Sequence, residues 1–176
     1  MYRPTSPKVG LFGQFTFYLK DQLFPVVIPN VVTDEGELEY LKMIVQADVA
    51  LIAAAGNFYV GLTSGVFDGS SILADIAAGE PTAAGGYARQ PITRDSLGWP
   101  TIDTINGVGR AQSDLVQFAA AGANFDKAIT KAFLTDQAAG TVGVLLGVSA
   151  GLPDPVTVLD GQSFDMRYEL FLRGSP

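Results

Sequence analysis

Apolar and polar residues alternate along several short segments of the chain, and this period of two predicts β-strands. Phe15, Phe17 and Leu19 alternate with more polar neighbours near the start of the sequence. Apolar residues also occupy every second position over residues 164–172. Because successive side chains of a strand point to opposite faces, each segment is expected to place one face on a core and to pair within a sheet.

Further strands are predicted between these two segments, separated by turns rich in Gly and Pro. Residues 57–63 alternate in the same way, and residues 87–93 form a candidate strand that Pro91 confines to an edge or a bulge. Asn106-Gly107 is a tight-turn signal, because both residues tolerate positive φ. The remaining candidate strands cover residues 115–120, 128–134 and 142–148.

One segment has the spacing of an amphipathic helix instead. Leu38 and Leu41 begin a series of apolar residues at intervals of three and four, and the series predicts a helix over about residues 34–54 that buries one face. Asp34 is the predicted N-cap, with Glu37 placed as in a capping box. After it, residues 64–86 contain five Gly and are predicted to form a long loop, of the kind that often serves function or assembly.

These elements predict a mainly β fold, a β-sandwich or jelly roll with one N-terminal α-helix and an extended N-terminal arm. Residues 1–24 are assigned to the arm and the first strand, and residues 25–56 to a linker and the helix. Residues 57–176 form the β-sandwich body. At 176 residues the chain is expected to be one globular domain overall.

Composition and charge narrow the possible partners. Charged residues make up 16% of the chain, below the roughly 25% of an average soluble domain, so we expect much of the surface to meet other protein. A compact monomer rich in Ala and Gly is the alternative. The net charge is −7, with the acidic excess in residues 34–176, which argues against nucleic acid and anionic membranes. Neither a secretory signal nor a spanning helix is predicted.

The chain contains no His and no Cys, so it lacks the imidazole and thiol groups that commonly act in catalysis. Residues 147–151 match the G-x-S-x-G pattern around Ser149, but no imidazole can take the serine proton. A pair with Lys127 or Lys131 is the remaining route. We therefore predict no enzyme activity, no cofactor and no catalytic metal, and expect Ser149 to lie where a strand ends in a turn.

Several carboxylates occur in turn-like settings, where Asp commonly bonds to nearby backbone groups. None forms a recognisable catalytic pair, and a calcium ion held by turn oxygens is the alternative use of such side chains. The carboxylates concerned are Asp95, Asp103, Asp154 and Asp160.

Aromatic and basic residues supply the candidate interface, since aromatic anchors and Arg are enriched where interfaces have most of their binding energy. An aromatic, weakly basic arm is suited to clasping an acidic neighbouring copy. Stacking of Tyr59, Tyr87 and Trp99 on sugar rings is an alternative use of the exposed aromatics. The candidate interface residues are Tyr2, Arg3, Lys8, Phe12, Phe15, Phe17, Tyr18, Tyr87, Arg89 and Trp99.

A set of short motifs resembles small virion proteins of tailed bacteriophages, over roughly residues 29–172. The set comprises Asn57–Thr63, a Gly-rich loop, Gly85–Ile92, Trp99, and a closing strand after Gly161-Gln162-Ser163. Such proteins are jelly rolls that decorate capsids as cement, or that are associated with tails and fibres.

The resemblance implies a structural role without catalysis. The leading hypothesis is a capsid cement or decoration protein that stabilises the phage head, with copies of itself and the major capsid protein as partners; trimers are common among cement proteins. The alternative is a tail, baseplate or fibre-associated structural or receptor-binding component, with tail proteins as partners. Either role places the protein in the virion, assembled in the host cytoplasm.

Overall fold

The computed structural model describes residues 10–18, 24–41 and 56–173. Within these residues ten strands form one antiparallel, curled sheet accompanied by few and short helices. The predicted mainly β class is therefore confirmed. Hydrogen bonds link all ten strands into this one sheet.

The elements follow the predicted strand segments closely, with one additional hairpin. The strands are β1 (Gly10–Tyr18), β2 (Val26–Val32), β3 (Asn57–Thr63), β4 (Gln90–Thr93), β5 (Thr101–Ile105), β6 (Val108–Gln112), β7 (Val116–Ala119), β8 (Lys131–Thr135), β9 (Leu145–Ser149) and β10 (Ser163–Arg173). The helices are α1 (Asp34–Leu41), α2 (Leu73–Ala77) and a 3₁₀ turn (Ala83–Gly85).

The strand order is β4-β3-β8-β9-β2-β1-β10-β6-β5, and β7 also pairs with β10. The pairing is nested along the chain: β1 pairs with β10, β2 with β9 and β3 with β8. The sheet curls until β4 contacts β7, which brings its two sides together around a common interior.

Apolar side chains of alternate positions fill this interior. Phe15 and Phe17 of β1 lie opposite Tyr168 and Met166 of β10, and all four are fully buried. Burying an aromatic or aliphatic side chain of this size stabilises the fold by about 1.5–3 kcal/mol. The alternation that predicted β1 and β10 therefore also fixes their register, because a slip of one residue would turn these side chains outward.

Helix α1 begins at Asp34, but its capping residue is not the predicted one. The N-cap is Thr33, whose hydroxyl oxygen accepts a hydrogen bond from the Gly36 backbone N–H at 3.1 Å, so Asp34 is not the cap. Leu38, expected on the buried face, is 53% exposed, whereas Glu39 and Tyr40 are buried. The remainder of the predicted helix, from residue 42 to 54, lies outside the described residues.

Residues 64–86 are more ordered than a long loop. They contain α2 and the 3₁₀ turn, and Leu73 and Ile76 pack on the outer face of the sheet against Phe133 and Leu145. The prediction failed because the helix has only five residues, too few to display a helical period in the sequence.

The strand predicted from the alternation at Phe15 and Phe17 is confirmed within residues 10–18. This segment is β1, which pairs with β2 on one edge and β10 on the other, so it lies in the middle of the sheet. Residues 1–9 and 19–23, which complete the predicted arm, lie outside the described residues.

Candidate interaction surface

The hairpin formed by β5 and β6 is the most exposed strand pair among the described residues. Its turn is Asn106-Gly107, where both residues have positive φ (52° and 76°), as a tight two-residue turn requires. The predicted turn is therefore confirmed. Around it, five ladder positions from Thr101–Gln112 to Ile105–Val108 pair without irregularity.

The root of the hairpin is anchored on both sides. Trp99, two residues before the start of β5, packs edge-on against Phe58 and Tyr168, each with ring centroids 6.2 Å away. Directly after β6, the Ser113 hydroxyl oxygen accepts a hydrogen bond from the Tyr168 backbone N–H at 2.9 Å. Both ends are thus fixed to the core.

A tight turn before Trp99 sets the direction in which the hairpin leaves the core. The Asp95 carboxylate accepts hydrogen bonds from the backbone N–H groups of Leu97 (2.9 Å) and Gly98 (3.0 Å) and from the Thr93 hydroxyl (2.7 Å). These bonds, led by the one from Gly98, lower the pKa of Asp95. Gly98 is required because a Cβ there would lie 1.9 Å from the Thr93 carbonyl oxygen.

Beyond the root, strand β5 is exposed on both faces, whereas the residues of β6 are half-buried. Ile102 is 78% exposed and Ile105 is 39% exposed, and Leu172 of the adjacent strand β10 is 50% exposed. Among the described residues β5 pairs only with β6, so its outer edge presents unpaired backbone groups. An exposed edge combined with apolar side chains is a surface suited to another polypeptide.

The outer face of the hairpin has a connected set of charges. Arg110 donates to both carboxylate oxygens of Asp103, at 3.0 and 2.7 Å, and to Glu169 at 3.2 Å. Glu169 is buried and also accepts from the side-chain amides of Gln14 and Gln112. The hydrogen bond from Arg110 lowers the pKa of Asp103, and the same bond raises the pKa of Arg110.

Two aromatic rings lie beside this charged set. Phe12 of β1 and Phe171 of β10 are cross-strand partners, and their rings stack with centroids 5.1 Å apart. Phe12 is 41% exposed, which leaves part of the stack open to a partner. The candidate interaction surface is therefore defined as strand β5, strand β6 and the exposed side chains of Phe12 and Leu172.

The predicted interface residues divide between this surface and the core. Phe12 and Tyr18 are exposed, whereas Phe15 and Phe17 are fully buried and cannot contact a partner of the folded chain. Their assignment to the interface is wrong, because β1 is a central strand and its inward side chains form the core. Tyr2, Arg3 and Lys8 lie outside the described residues.

Arg89 was assigned to the interface and is instead a buried anchor, 6% exposed. Its guanidinium forms a two-pronged ion pair with Glu80 and donates to the carbonyl oxygens of Gln137 (3.1 Å) and Gly140 (2.8 Å). It also lies over the Phe133 ring, 5.2 Å from the centroid. Arg89 thus ties two loops to the sheet and is not a surface contact.

Tyr87 and Trp99 do not form a stacking platform for sugar rings. Tyr87 is buried, and its hydroxyl accepts from the Leu62 backbone N–H (2.9 Å) and donates to Glu80 (3.0 Å). Burial raises the pKa of Tyr87 well above its usual range. Trp99 is half-buried in the packing at the hairpin root, and Tyr59 is half-buried within β3.

The candidate nucleophile is part of the sheet. Ser149 is the last residue of β9, as predicted for a strand ending in a turn, and it is buried. Its hydroxyl oxygen accepts a hydrogen bond from the Ala132 backbone N–H at 2.9 Å. Lys131 donates to the Phe67 carbonyl at 2.9 Å, and Lys127 donates to the Ala78 carbonyl.

Three of the four carboxylates singled out in the sequence have hydrogen-bond partners that account for them. Asp95 bonds to its own turn, Asp103 to Arg110, and Asp160 to the Gly122 backbone N–H at 2.8 Å. In the described ranges, no three Asp or Glu side chains come together as ligands for a metal ion.

No protein-family model matches the chain, and no curated protein is similar to it. The described helices are also too short or too polar to cross a bilayer.

Sequence reasoning missed Ile102, Ile105 and Leu172 as surface residues. The available signal was the tight turn at Asn106-Gly107, which implies a strand on either side. Neither face of β5 is fully covered, and residues 101–105 lack a regular alternation of apolar and polar side chains. Their sequence therefore does not predict a strand by its period of two.

Proposed function

We propose that this chain is a structural protein of a virus particle that acts through protein–protein contacts and not through catalysis. The observation that carries the proposal is the β5–β6 hairpin, which is fixed at its root and whose strand β5 is exposed on both faces and, within the described residues, along one edge. Rigid attachment reduces the ordering cost of binding, while the exposed groups supply the contact.

Within that class, we propose a capsid cement or decoration protein, as the motif resemblance to small phage virion proteins implies. A jelly-roll arrangement in two layers belongs to the same proposal, and it is supported by the nested pairing of β1 with β10, β2 with β9 and β3 with β8. The low proportion of charged residues also suits a protein whose surface is largely covered by neighbours.

Quantitative mass spectrometry of purified particles tests this role. We expect a copy number comparable with that of the major shell protein. A few copies per particle would instead favour the tail, baseplate or fibre-associated role. Absence from mature particles would end the virion proposal altogether.

A further inference from the structure

We propose that strand β5 pairs antiparallel with β5 of a second copy, with Ile102 directly opposite its symmetry mate. This proposal rests on the proposed function, because it names the partner of the same hairpin. Three observations support it: the unpaired backbone groups of β5, the difference between the two edges of the sheet, and the twofold register that the sequence permits.

The backbone groups of β5 that have no partner among the described residues belong to alternate positions. Ile105 and Val108 close the two-residue turn as a hydrogen-bonded pair, so Ile105, Asp103 and Thr101 direct their N–H and C=O groups toward β6. Ile102 and Thr104 direct theirs to the open edge. A second strand must therefore form its bonds to these two residues.

The opposite edge of the sheet is protected in ways that β5 is not. Strand β4 contains Pro91, which has no N–H to offer, and β4 also contacts β7. Strand β5 contains neither Pro nor Lys within its bounds and has no bulge, and Ile102 is among its most exposed side chains. Natural proteins usually block such an edge or pair it with another strand.

The sequence distinguishes between the possible twofold registers. Centring the pair on Asp103 would place two carboxylates directly opposite each other, which is unfavourable. Centring it on Thr104 would place Ile102 opposite Asn106, a turn residue with φ of 52° that cannot continue a ladder.

Centring the pair on Ile102 avoids both problems. It places Thr104 opposite Pro100, whose carbonyl oxygen can accept from the Thr104 N–H but which has no N–H to donate in return. The two Ile102 side chains meet, and Asp103 lies opposite Thr101, whose hydroxyl can donate to the carboxylate. Leu170, Ala111 and Ile102 are register partners on one face, so pairing would extend this row without interruption into the second copy. The partner that best complements this edge is therefore the edge itself.

A contact limited to a five-residue strand is expected to be weak. Interfaces that bury less than about 1,200 Å² are usually transient, so the dimer should be favoured by high local concentration, as on a particle surface. Covalent capture is therefore a better test than affinity alone.

The absence of Cys from the chain allows a direct test with single thiols in the purified protein. Hydrogen-bonded residues in an antiparallel pair have Cα atoms about 5.5 Å apart, within the range of about 4.4–6.8 Å that a disulfide spans. We expect Ile102→Cys to form disulfide-linked dimers on mild oxidation. The matched control is Thr104→Cys on the same face of β5, whose symmetry mates would lie roughly 13 Å apart along the strand.

The expected result is about tenfold more dimer from Ile102→Cys than from Thr104→Cys after the same oxidation. Equal yields from both would overturn the register. A protein that stays monomeric although the thiol at position 102 reacts with a maleimide would overturn the pairing. A thiol that neither cross-links nor reacts with a maleimide would also overturn it, because another segment would then cover the edge.

Light scattering at high protein concentration gives a second measurement. Ile102→Lys should reduce the dimer fraction at least about fivefold, because a charged side chain at an edge opposes pairing. Leu97→Lys is the control, since Leu97 is also 78% exposed but lies outside β5. An equal effect of both variants would contradict the proposal. These assays use the free protein, so they can fail while the particle copy number still supports the proposed function, and the reverse.

Discussion

Strand β1 and the β5–β6 hairpin occupy opposite positions in the same sheet. β1 is bonded on both edges and two of its Phe side chains are fully buried, whereas β5 has one bonded edge within the described residues and Ile102 is 78% exposed. The comparison shows that the neighbouring strands in the sheet determine whether a strand is buried in the core or exposed at an edge. β1 is central because β2 and β10 flank it, and β5 is open because the sheet ends there.

The largest effect is expected from removing the central strand. Deleting residues 1–24 removes β1 with its buried Phe side chains and leaves β2 and β10 without their common partner. We expect the cooperative thermal unfolding transition to be lost, and circular dichroism measures this transition. Deleting residues 1–9, which leaves β1 intact, is the control. A normal transition after the longer deletion would show that β1 is dispensable, as an accessory arm would be.

A second prediction compares a buried ion pair with one on the hairpin. Arg89→Ala leaves the carboxylate of Glu80 largely buried without its partner, and we expect a loss of about 3–5 kcal/mol in the free energy of unfolding. Asp103→Ala removes the exposed partner of Arg110 and should leave the free energy of unfolding nearly unchanged, because solvent screens this pair. Urea denaturation measures both, and similar losses would contradict the contrast between core and hairpin.

The root of the hairpin provides a third test. Gly98→Ala places a methyl group against the Thr93 carbonyl, and the required backbone shift should cost about 1–3 kcal/mol. Gly151→Ala is the matched control because no atom lies within 4 Å of its added Cβ. Thermal unfolding should separate the two variants, and equal stability would mean that the turn before Trp99 adjusts freely.

The smallest effect is expected from pH. The pKa values of Asp95 and Asp103 are lowered in the folded state, so their stabilising contribution is complete above the unfolded pKa of about 3.9 and is lost as the pH falls through the lower folded values. The unfolding temperature should therefore decrease once the pH is lowered past about 4. Asp95→Asn cannot gain a proton there, so its decline should be shallower; an identical decline would exclude Asp95 as a contributor.

The sequence predicted strands where one face is covered and the other is not. β3 and β10 can be predicted because alternating apolar residues are visible in a short stretch of sequence. The turn at Asn106-Gly107 can be predicted because Asn and Gly are the residue types that tolerate positive φ. The position of β1 in the sheet could not be read in this way, since the pairing of Gln14 with Glu169 joins residues that are 155 positions apart.

The candidate interface was predicted less well, for a related reason. Aromatic and basic residue types are suited equally to a core and to a contact surface, and burial alone separates Phe15 from Phe12 or Arg89 from Arg110. Burial depends on which strands curl together. The exposed edge of β5 could be recognised only once the order of the strands was known.

The pairing of β1 with β10 also has a consequence for synthesis on the ribosome. Translation at roughly 5–20 residues per second means that β1 is made about 8–31 s before its partner strand is complete. During that interval the Phe side chains of β1 have no completed core to enter, which exposes the nascent polypeptide to aggregation. Chaperone binding to the early chain, followed by release when β10 is complete, would match this delay.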